Sequence, residues 1–293
     1  MKKYARFFFT VIFASFIVPV LFFPACKSKP MPKDGPAPLI VFDRIEADDP
    51  VNLRLHFSLD IENSYAQARQ VKIEAWRVEI NGKRAGRGFS IESPKEHVFR
   101  LSPGRNSFPV QMNMDVNALK DQGLAPLDEY EVNLIAKLSF SFDSSAPRSE
   151  LEVSGIAAFP GVQPPEFSIT AIAILKAELI NTRFRVSLNI DNPNPFPVEL
   201  AAFGYELYGN GRLWADGLER NIIRVNGKST LKGDLFLIMN FINMRRDLLD
   251  QIIALVDVNY RFKGEAQVST EVEYLPKFTS GFNLSGYSEV FEN

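Results

Sequence analysis

Alternation of apolar and polar residues is the dominant pattern of this chain, and it predicts strands. The runs His56–Ile61 and Phe184–Ile190 alternate with a period of two. This period places apolar side chains on one face of a strand and polar side chains on the other. Trp76–Ile80 and Tyr205–Tyr208 repeat the pattern, so we expect several short strands, each with one buried face.

Turn residues divide these strands. Asn81-Gly82 and Asn210-Gly211 each follow an alternating run and predict two-residue hairpins, because both residues accept positive φ. Pro103-Gly104 and Asn226-Gly227 predict further turns before the next strands. At Asn192-Pro193-Asn194-Pro195 a strand must end, because proline cannot donate to a ladder and asparagine stabilises turns.

The two sets of elements are related by a constant offset of 129 residues, which places Asn63 on Asn192 and Asn81-Gly82 on Asn210-Gly211. Such a register predicts two copies of one module, and a length of 293 residues fits two domains. The shared positions are apolar residues and turn residues rather than titratable ones. The two modules therefore share the residues that build the fold, and not a set of residues suited to catalysis.

The predicted fold class is mainly β: two tandem fibronectin- or immunoglobulin-like antiparallel β-sandwiches, each with one short helix. The helices are expected at Asp115–Gln122, ended by Gly123, and over the amphipathic segment Phe241–Val256. The last strands of the two modules are predicted at Tyr130–Phe142, Glu150–Ala158, Asn259–Gln267 and Ser269–Tyr274. A proline-rich junction places the first domain at residues 38–162 and the second at residues 163–293.

Residues 1–25 have the features of a secretory signal peptide. Three basic residues among the first six precede an uncharged apolar run, Phe7–Phe23. Ala25-Cys26 then resembles the end of a bacterial lipobox, which implies cleavage after Ala25 and a lipid on Cys26. Phe23 and Pro24 depart from the usual lipobox residues. A transmembrane anchor is the alternative, since the run of about 17 residues reaches the lower limit for a bilayer span.

Residues 26–37 are rich in proline and lysine and predict a flexible tether, because such a segment buries too little apolar surface to fold. The expected location is the bacterial cell envelope, as a membrane-anchored lipoprotein facing the periplasm or exposed at the surface. The expected partners are the membrane, through lipidated Cys26, and an envelope protein or lipid.

Composition disfavours several classes of function. With 33 basic and 35 acidic residues, the chain carries a formal net charge of −2, so no basic field attracts nucleic acid. Cys26 is the only cysteine of the sequence, so an intrachain disulfide is impossible. Glycine patterns of nucleotide sites and the Gly-x-Ser-x-Gly elbow of hydrolases do not occur.

Residues suited to catalysis or metal binding are sparse. His56 and His97 are the only histidines of the sequence, and neither has cysteine or carboxylate partners at zinc-ligand spacing. One acidic group lacks the ordered spacing of an EF-hand calcium loop; it consists of Asp43, Glu46, Asp48 and Asp49. We therefore expect no cofactor, no metal and no enzymatic activity.

The second module resembles the LEA type 2 domain, also called the WHy (water stress and hypersensitive response) domain. The resemblance rests on Asn192-Pro193-Asn194-Pro195, on Tyr205-Glu206-Leu207 and on the later Asn226-Gly227-Lys228-Ser229-Thr230. In the first module Ser64-Tyr65 replaces Pro-Asn, which indicates a degenerate copy. The resemblance implies a seven-stranded fibronectin-like sandwich with one helix and a non-enzymatic role, either in envelope interaction or in stress protection of membranes or client proteins.

The lipid on Cys26 is directly testable. Radiolabelled fatty acid supplied to growing cells should enter the wild-type protein and not the Cys26→Ser variant, because serine lacks the thiol that accepts the lipid. Equal labelling of both proteins would contradict the lipoprotein interpretation and favour the transmembrane anchor.

Overall fold

The computed structural model describes residues 37–92, 98–141, 149–176, 182–239 and 257–292. Strands make up most of these residues, so the predicted mainly-β sandwich class is confirmed. Across the described ranges, no helix combines the length and hydropathy that crossing a bilayer requires.

The first half of the described chain forms two antiparallel sheets. Their orders are β1-β2-β7-β5 and β4-β3-β8-β9, with β6 beside β3. The elements are β1 (Leu39–Ala47), β2 (Asn52–Asn63), β3 (Arg69–Ile80), β4 (Lys83–Arg84), β5 (Phe89–Glu92), β6 (Val98–Leu101), β7 (Gly104–Asp115), α1 (Val116–Lys120), β8 (Glu129–Ser141) and β9 (Ser149–Pro160).

The second half has the corresponding strands in the order β13-β12-β16-β17-β10-β11-β15, with β14 beside β12. They are β10 (Glu166–Lys176), β11 (Thr182–Asn192), β12 (Val198–Gly209), β13 (Arg212–Glu219), β14 (Ile223–Val225), β15 (Ser229–Met239), β16 (Asp257–Thr270) and β17 (Lys277–Glu292). β10 pairs in parallel with the end of β17, and these hydrogen bonds join the two layers of the second half along one edge. The sequence predicted only antiparallel pairs, because the long last strand was not foreseen.

The predicted strand Ser269–Tyr274 is wrong. β16 continues to Thr270, and a turn follows in which Thr270 Oγ1 donates to the carbonyl of Leu275 (2.6 Å). Val272 is buried and Tyr274 is partly buried in this turn, so apolar residues two positions apart imitate the alternation of a strand. The last strand is β17, which runs back along the whole of β16.

Each half has its own apolar core between its sheets. In the first half Leu55 of β2 and Met112 of β7 pack with residues of the opposite sheet such as Leu134. In the second half the largest fully buried side chains are Phe184, Phe203 and Phe262, which accounts for part of the high phenylalanine content. Among the described strands, no hydrogen-bonded pair joins the two halves.

The helix predicted at Asp115–Gln122 is present in a shorter form, α1. Asp115 caps it, since its carboxylate accepts the backbone N–H groups of Asn117 (2.9 Å) and Ala118 (3.2 Å). Gly123 follows with a φ of 68°, the conformation in which glycine ends helices. The helix predicted at Phe241–Val256 lies outside the described residues.

The two halves correspond closely up to the hairpins and differ after them. β3 and β12 are both 12 residues long and begin 129 positions apart. β13 then stays paired with β12, whereas the chain leaves β3 after Arg84 and crosses to the other sheet as β5. Gly88 lies on this crossing with a φ of 86°, while its sequence counterpart Gly217 lies within a strand. The 129-residue offset of the sequence therefore continues into segments whose structures differ.

Close contact between β1 and β9 predicts the effect of one substitution. A Cβ on Gly155 would lie 2.5 Å from Cγ2 and 2.6 Å from the carbonyl oxygen of Ile40, whereas a Cβ on Gly233 meets nothing within 4 Å. Gly155→Ala should therefore lower the free energy of unfolding by about 1–3 kcal/mol, the usual cost of overpacking. Gly233→Ala is the matched control, and urea denaturation measures both. Equal stability of the two variants would contradict the close packing.

Candidate functional site

Asn192, at the end of β11, is the centre of a buried hydrogen-bond network. Its side chain is 2% exposed, and its Nδ2 donates to the carbonyls of Phe196 (2.8 Å), Val225 (3.2 Å) and Asn226 (3.1 Å). Its Oδ1 accepts from the backbone N–H (3.0 Å) and Nδ2 (2.9 Å) of Asn194. One carboxamide thus joins the loop that follows β11 to the turn that follows β14.

Asn194 connects the same loop to the segment that enters the second half. It is fully buried. Its Oδ1 accepts from the backbone N–H of Gln163 (2.7 Å), and its Nδ2 donates to the Gln163 carbonyl (2.8 Å). Its own carbonyl accepts the backbone N–H of Lys228 (2.8 Å). The polar groups of both asparagines therefore bond within the protein.

The prolines that follow each of these asparagines stiffen the loop. Pro193 and Pro195 have no backbone N–H and a fixed φ, so they end the ladder at Asn192. A Cβ on Gly227 would lie 2.4 Å from the carbonyl oxygen of Pro195, so the loop and the neighbouring turn pack backbone against backbone. Asn192, Pro193, Asn194 and Pro195 together form a structural turn.

Asn63 makes a smaller version of this network in the first half. It is 4% exposed. Its Nδ2 donates to the carbonyls of Gln67 (2.9 Å) and Leu101 (3.1 Å), and its Oδ1 accepts the N–H of Tyr65 (3.2 Å). The three bonds correspond to bonds of Asn192. Gln67 corresponds to Phe196, the fourth residue after the asparagine, and Tyr65 corresponds to Asn194, the second residue after it. Leu101 corresponds to Val225, since each ends the short strand beside β3 or β12. The first half lacks the prolines but keeps the buried asparagine.

The two Asn-Gly pairs form tight hairpins. The φ values are 48° and 74° at Asn81 and Gly82, and 49° and 79° at Asn210 and Gly211. Asn81 Oδ1 also accepts the backbone N–H of Glu131 in β8 (3.1 Å). Asn210 Oδ1 likewise accepts the backbone N–H of Asn259 in β16 (3.2 Å). These residues hold turns against a neighbouring strand.

Two side chains connect the two halves through contacts that the sequence did not predict. Tyr274 donates its hydroxyl to the carbonyl of Pro160 (2.6 Å), and its ring meets Phe159 edge-on at 5.8 Å. Burial, with a smaller contribution from a neighbouring tyrosine, raises the Tyr274 pKa well above its usual value. Lys228 Nζ lies 2.6 Å from Asp128 Oδ1. The sequence pattern places Tyr274 at the end of a predicted strand and gives no indication of this contact.

A cleft of about 790 Å³ lies beside these contacts. One wall is the middle of β1, from Phe42 to Ile45, and the facing wall includes the end of β9 and the turn after β16. Aromatic rings and carboxylates line it together, so this cleft offers both apolar and charged contacts to a ligand.

The titratable groups that drew attention in the sequence are paired with neighbours. Arg44 donates hydrogen bonds to the carboxylates of Asp43 (2.7 Å) and Glu46 (2.9 Å). The bond from Arg44 to Glu46 lowers the pKa of Glu46. His56 Nε2 lies 3.5 Å from Glu46 Oε2. Across the described ranges, no group of three or more metal-ligating side chains is close enough to hold an ion.

Two other acidic residues of that group also have local partners. Arg54 lies 3.2 Å from Asp48, and Asp49 accepts the N–H groups of Val51 (2.7 Å) and Asn52 (2.8 Å). The acidic group is therefore spread over ion pairs and a turn. Ala25, Cys26 and His97 lie outside the described residues.

Comparison with known families gives a match for a segment of the second half. Residues 187–273 match the family model described as "Late embryogenesis abundant protein" (LEA_2). The segment contains the Asn192 turn, the second hairpin and β12 to β16, and the match is consistent with a LEA type 2 domain. A search of curated protein sequences found no match.

Solved structures show only distant likeness. A protein from Archaeoglobus fulgidus is 15% identical with a TM-score of 0.29, over 44% of this chain and 96% of that one. Red sea bream transglutaminase is 12% identical with a TM-score of 0.24, over 86% of this chain and 31% of that one. A Bacteroides uniformis β-glucuronidase is 12% identical with a TM-score of 0.23, over 80% and 26%.

Truncation of Asn192 tests its structural role. Asn192→Ala should lower the free energy of unfolding by about 1–3 kcal/mol, because it leaves buried carbonyl and N–H groups without a partner. Asn221→Ala is the control, since Asn221 lies exposed in a loop of the same half and should change little. Full retention of the melting temperature by Asn192→Ala would contradict this role.

Proposed function

We propose that this protein is a non-enzymatic binding or structural module of the bacterial cell envelope, held at the membrane by a lipid on Cys26. One observation carries the proposal: the motif that marks the family is used inside the protein. The amide groups of Asn192 and Asn194 bond backbone or each other. The motif therefore builds a rigid scaffold, and function falls to the surfaces that this scaffold presents.

The first half is, in this proposal, a divergent second copy of the LEA type 2 domain. Three features support it: the 129-residue offset between β3 and β12, the matching hairpins, and the shared network of Asn63 and Asn192. Two rigid domains that contact each other through Tyr274 and Pro160 would present one continuous surface to a partner.

Placement at a membrane is supported by the sequence of the N-terminus. A basic head, an apolar run and Ala25-Cys26 precede a tether that begins at Cys26 and ends shortly before β1. Acyl chains contribute about 0.8 kcal/mol for each buried methylene, and two signals suffice for stable anchoring. The partners in this proposal are the membrane and an envelope protein or lipid, with no role for nucleic acid.

Protection of membranes or client proteins against water stress is the second candidate function. The description of the matching family, late embryogenesis abundant protein, favours it. A protective protein with this fold also acts through its surface, so the two candidates differ in phenotype rather than in architecture.

Crosslinking in intact cells tests the proposed function. Wild-type protein should yield a reproducible envelope adduct, and the Cys26→Ser variant should lose it, because unanchored protein no longer stays near the partner. The His56→Gln and His97→Gln double variant should keep the adduct. The histidine variant should also restore function to a deletion strain, and failure to do so while the adduct is kept would contradict a non-enzymatic role. A deletion strain that dies only on drying would favour stress protection.

A further inference from the structure

The two halves treat one edge of the sandwich differently. In the second half the end of β17 pairs in parallel with β10, and the pairs are Ile172 with Val290, Ala173 with Phe291 and Ile174 with Glu292. This pairing satisfies the outer edge of β10. An edge strand without such a partner presents its N–H and C=O groups to any chain that can pair with them.

β1 has the position of β10 in the first half. Phe42, Arg44 and Ile45 pair with residues of β2 that lie 129 positions before the partners of Ile172, Ala173 and Ile174 in β11. Among the strands that the structure describes, β1 is a terminal strand of its sheet. The stretch Phe42–Ile45 is therefore the counterpart of the stretch that β17 covers in the second half.

The residues that correspond to the end of β17, and that would pair with Phe42–Ile45, have other partners in the first half. The registers of β8 with β9 and of β16 with β17 place Gly161, Val162 and Gln163 where the second half has Val290, Phe291 and Glu292. Gly161 N–H instead bonds the Asp128 carbonyl (2.8 Å). Val162 packs in the second core, and Gln163 bonds Asn194. These residues form the junction, so they cannot pair with β1.

The uncovered stretch of β1 is also the wall of the cleft described above. Phe42, Asp43, Arg44 and Ile45 all line it. The remaining apolar surface comes from aromatic residues such as Phe159, Phe196 and Tyr274.

The charge of the cleft indicates what it can bind. Its lining residues include three carboxylates, on Asp43, Glu271 and Glu273, against the single guanidinium of Arg44. Arg44 is itself engaged by Asp43 and Glu46. Glu271 and Glu273 are exposed. Arg224 lies 3.7 Å from Glu271 and offsets part of its charge, so the side opposite β1 is open to solvent and keeps an acidic excess, with Glu273 as its main contributor.

We infer that the cleft binds an extended segment of a partner protein, rich in alternating basic and aliphatic residues, which adds to β1 as a parallel strand. Backbone bonds to Phe42–Ile45 would supply affinity, and side chains would alternate between the aromatic wall and the carboxylates, as in other strand-addition complexes. This inference rests on the proposed binding function and gives it a place and a partner chemistry.

A labelled peptide of alternating lysine and valine tests the inference by fluorescence anisotropy with the full-length protein in detergent, with empty micelles as blank. It should bind about tenfold more tightly than an alternating glutamate and valine peptide, because charge complementarity selects partners. A lysine and valine peptide with N-methylated backbone should also bind about tenfold more weakly, since it lacks the N–H groups that strand addition needs.

Variants of the protein localise the binding. Glu271→Gln with Glu273→Gln should weaken the lysine and valine peptide several-fold and flatten its salt dependence. The control is Glu150→Gln with Glu152→Gln, an exposed pair at the start of β9, about 30 Å along the strand from Pro160 at 3.3 Å per residue. The control variant should bind as the wild type does, and thermal melting verifies that both variants fold.

Four outcomes would overturn the inference. They are no binding of the lysine and valine peptide, equal binding of its N-methylated form, equal loss in the control variant, and self-association of the protein that the Glu271 and Glu273 substitutions abolish. The last outcome would identify a second copy of this chain as the occupant. If the peptide fails while the envelope crosslink persists, the strand-addition site is wrong and the proposed function stands.

Discussion

The burial of one asparagine side chain at the end of a strand is the constraint on which each half depends. Asn192 holds three backbone carbonyls and two N–H donors in a region from which water is excluded. The chain must leave one sheet there and start the other without leaving those groups unbonded, since an unbonded buried polar group costs about 1–3 kcal/mol. Asn63 solves the same problem in the first half. The connection between the two sheets of each half therefore depends on a buried carboxamide.

The second constraint is the junction. Because Gly161, Val162 and Gln163 are bonded or packed at the boundary, the two halves are connected without a free linker. The same use of these residues leaves Phe42–Ile45 of β1 without an outer partner among the described strands. The bonded junction and the open strand edge thus have one cause, and the cleft beside Tyr274 lies next to both.

Much of the fold was predictable from the sequence because its determinants are local. Alternation predicted β2 and β11, the two Asn-Gly pairs predicted hairpins, and Asp115 with Gly123 marked the ends of a helix. The failures occurred where local pattern and tertiary role differ. Val272 and Tyr274 are apolar because a turn packs against the core. Gly88 aligns with Gly217 although only Gly88 lies on a crossing between sheets.

The sequence by itself determined the fold class, the 129-residue register and the LEA type 2 resemblance, since periodicity and turn chemistry act over a few neighbouring residues. Only the tertiary structure decided that β17 pairs in parallel with β10, that Asn194 bonds Gln163, and that Tyr274 meets Pro160. These contacts join residues far apart in the chain. Their formation depends on how whole sheets pack, and a pattern read along one strand carries no information about the strand that lies across from it.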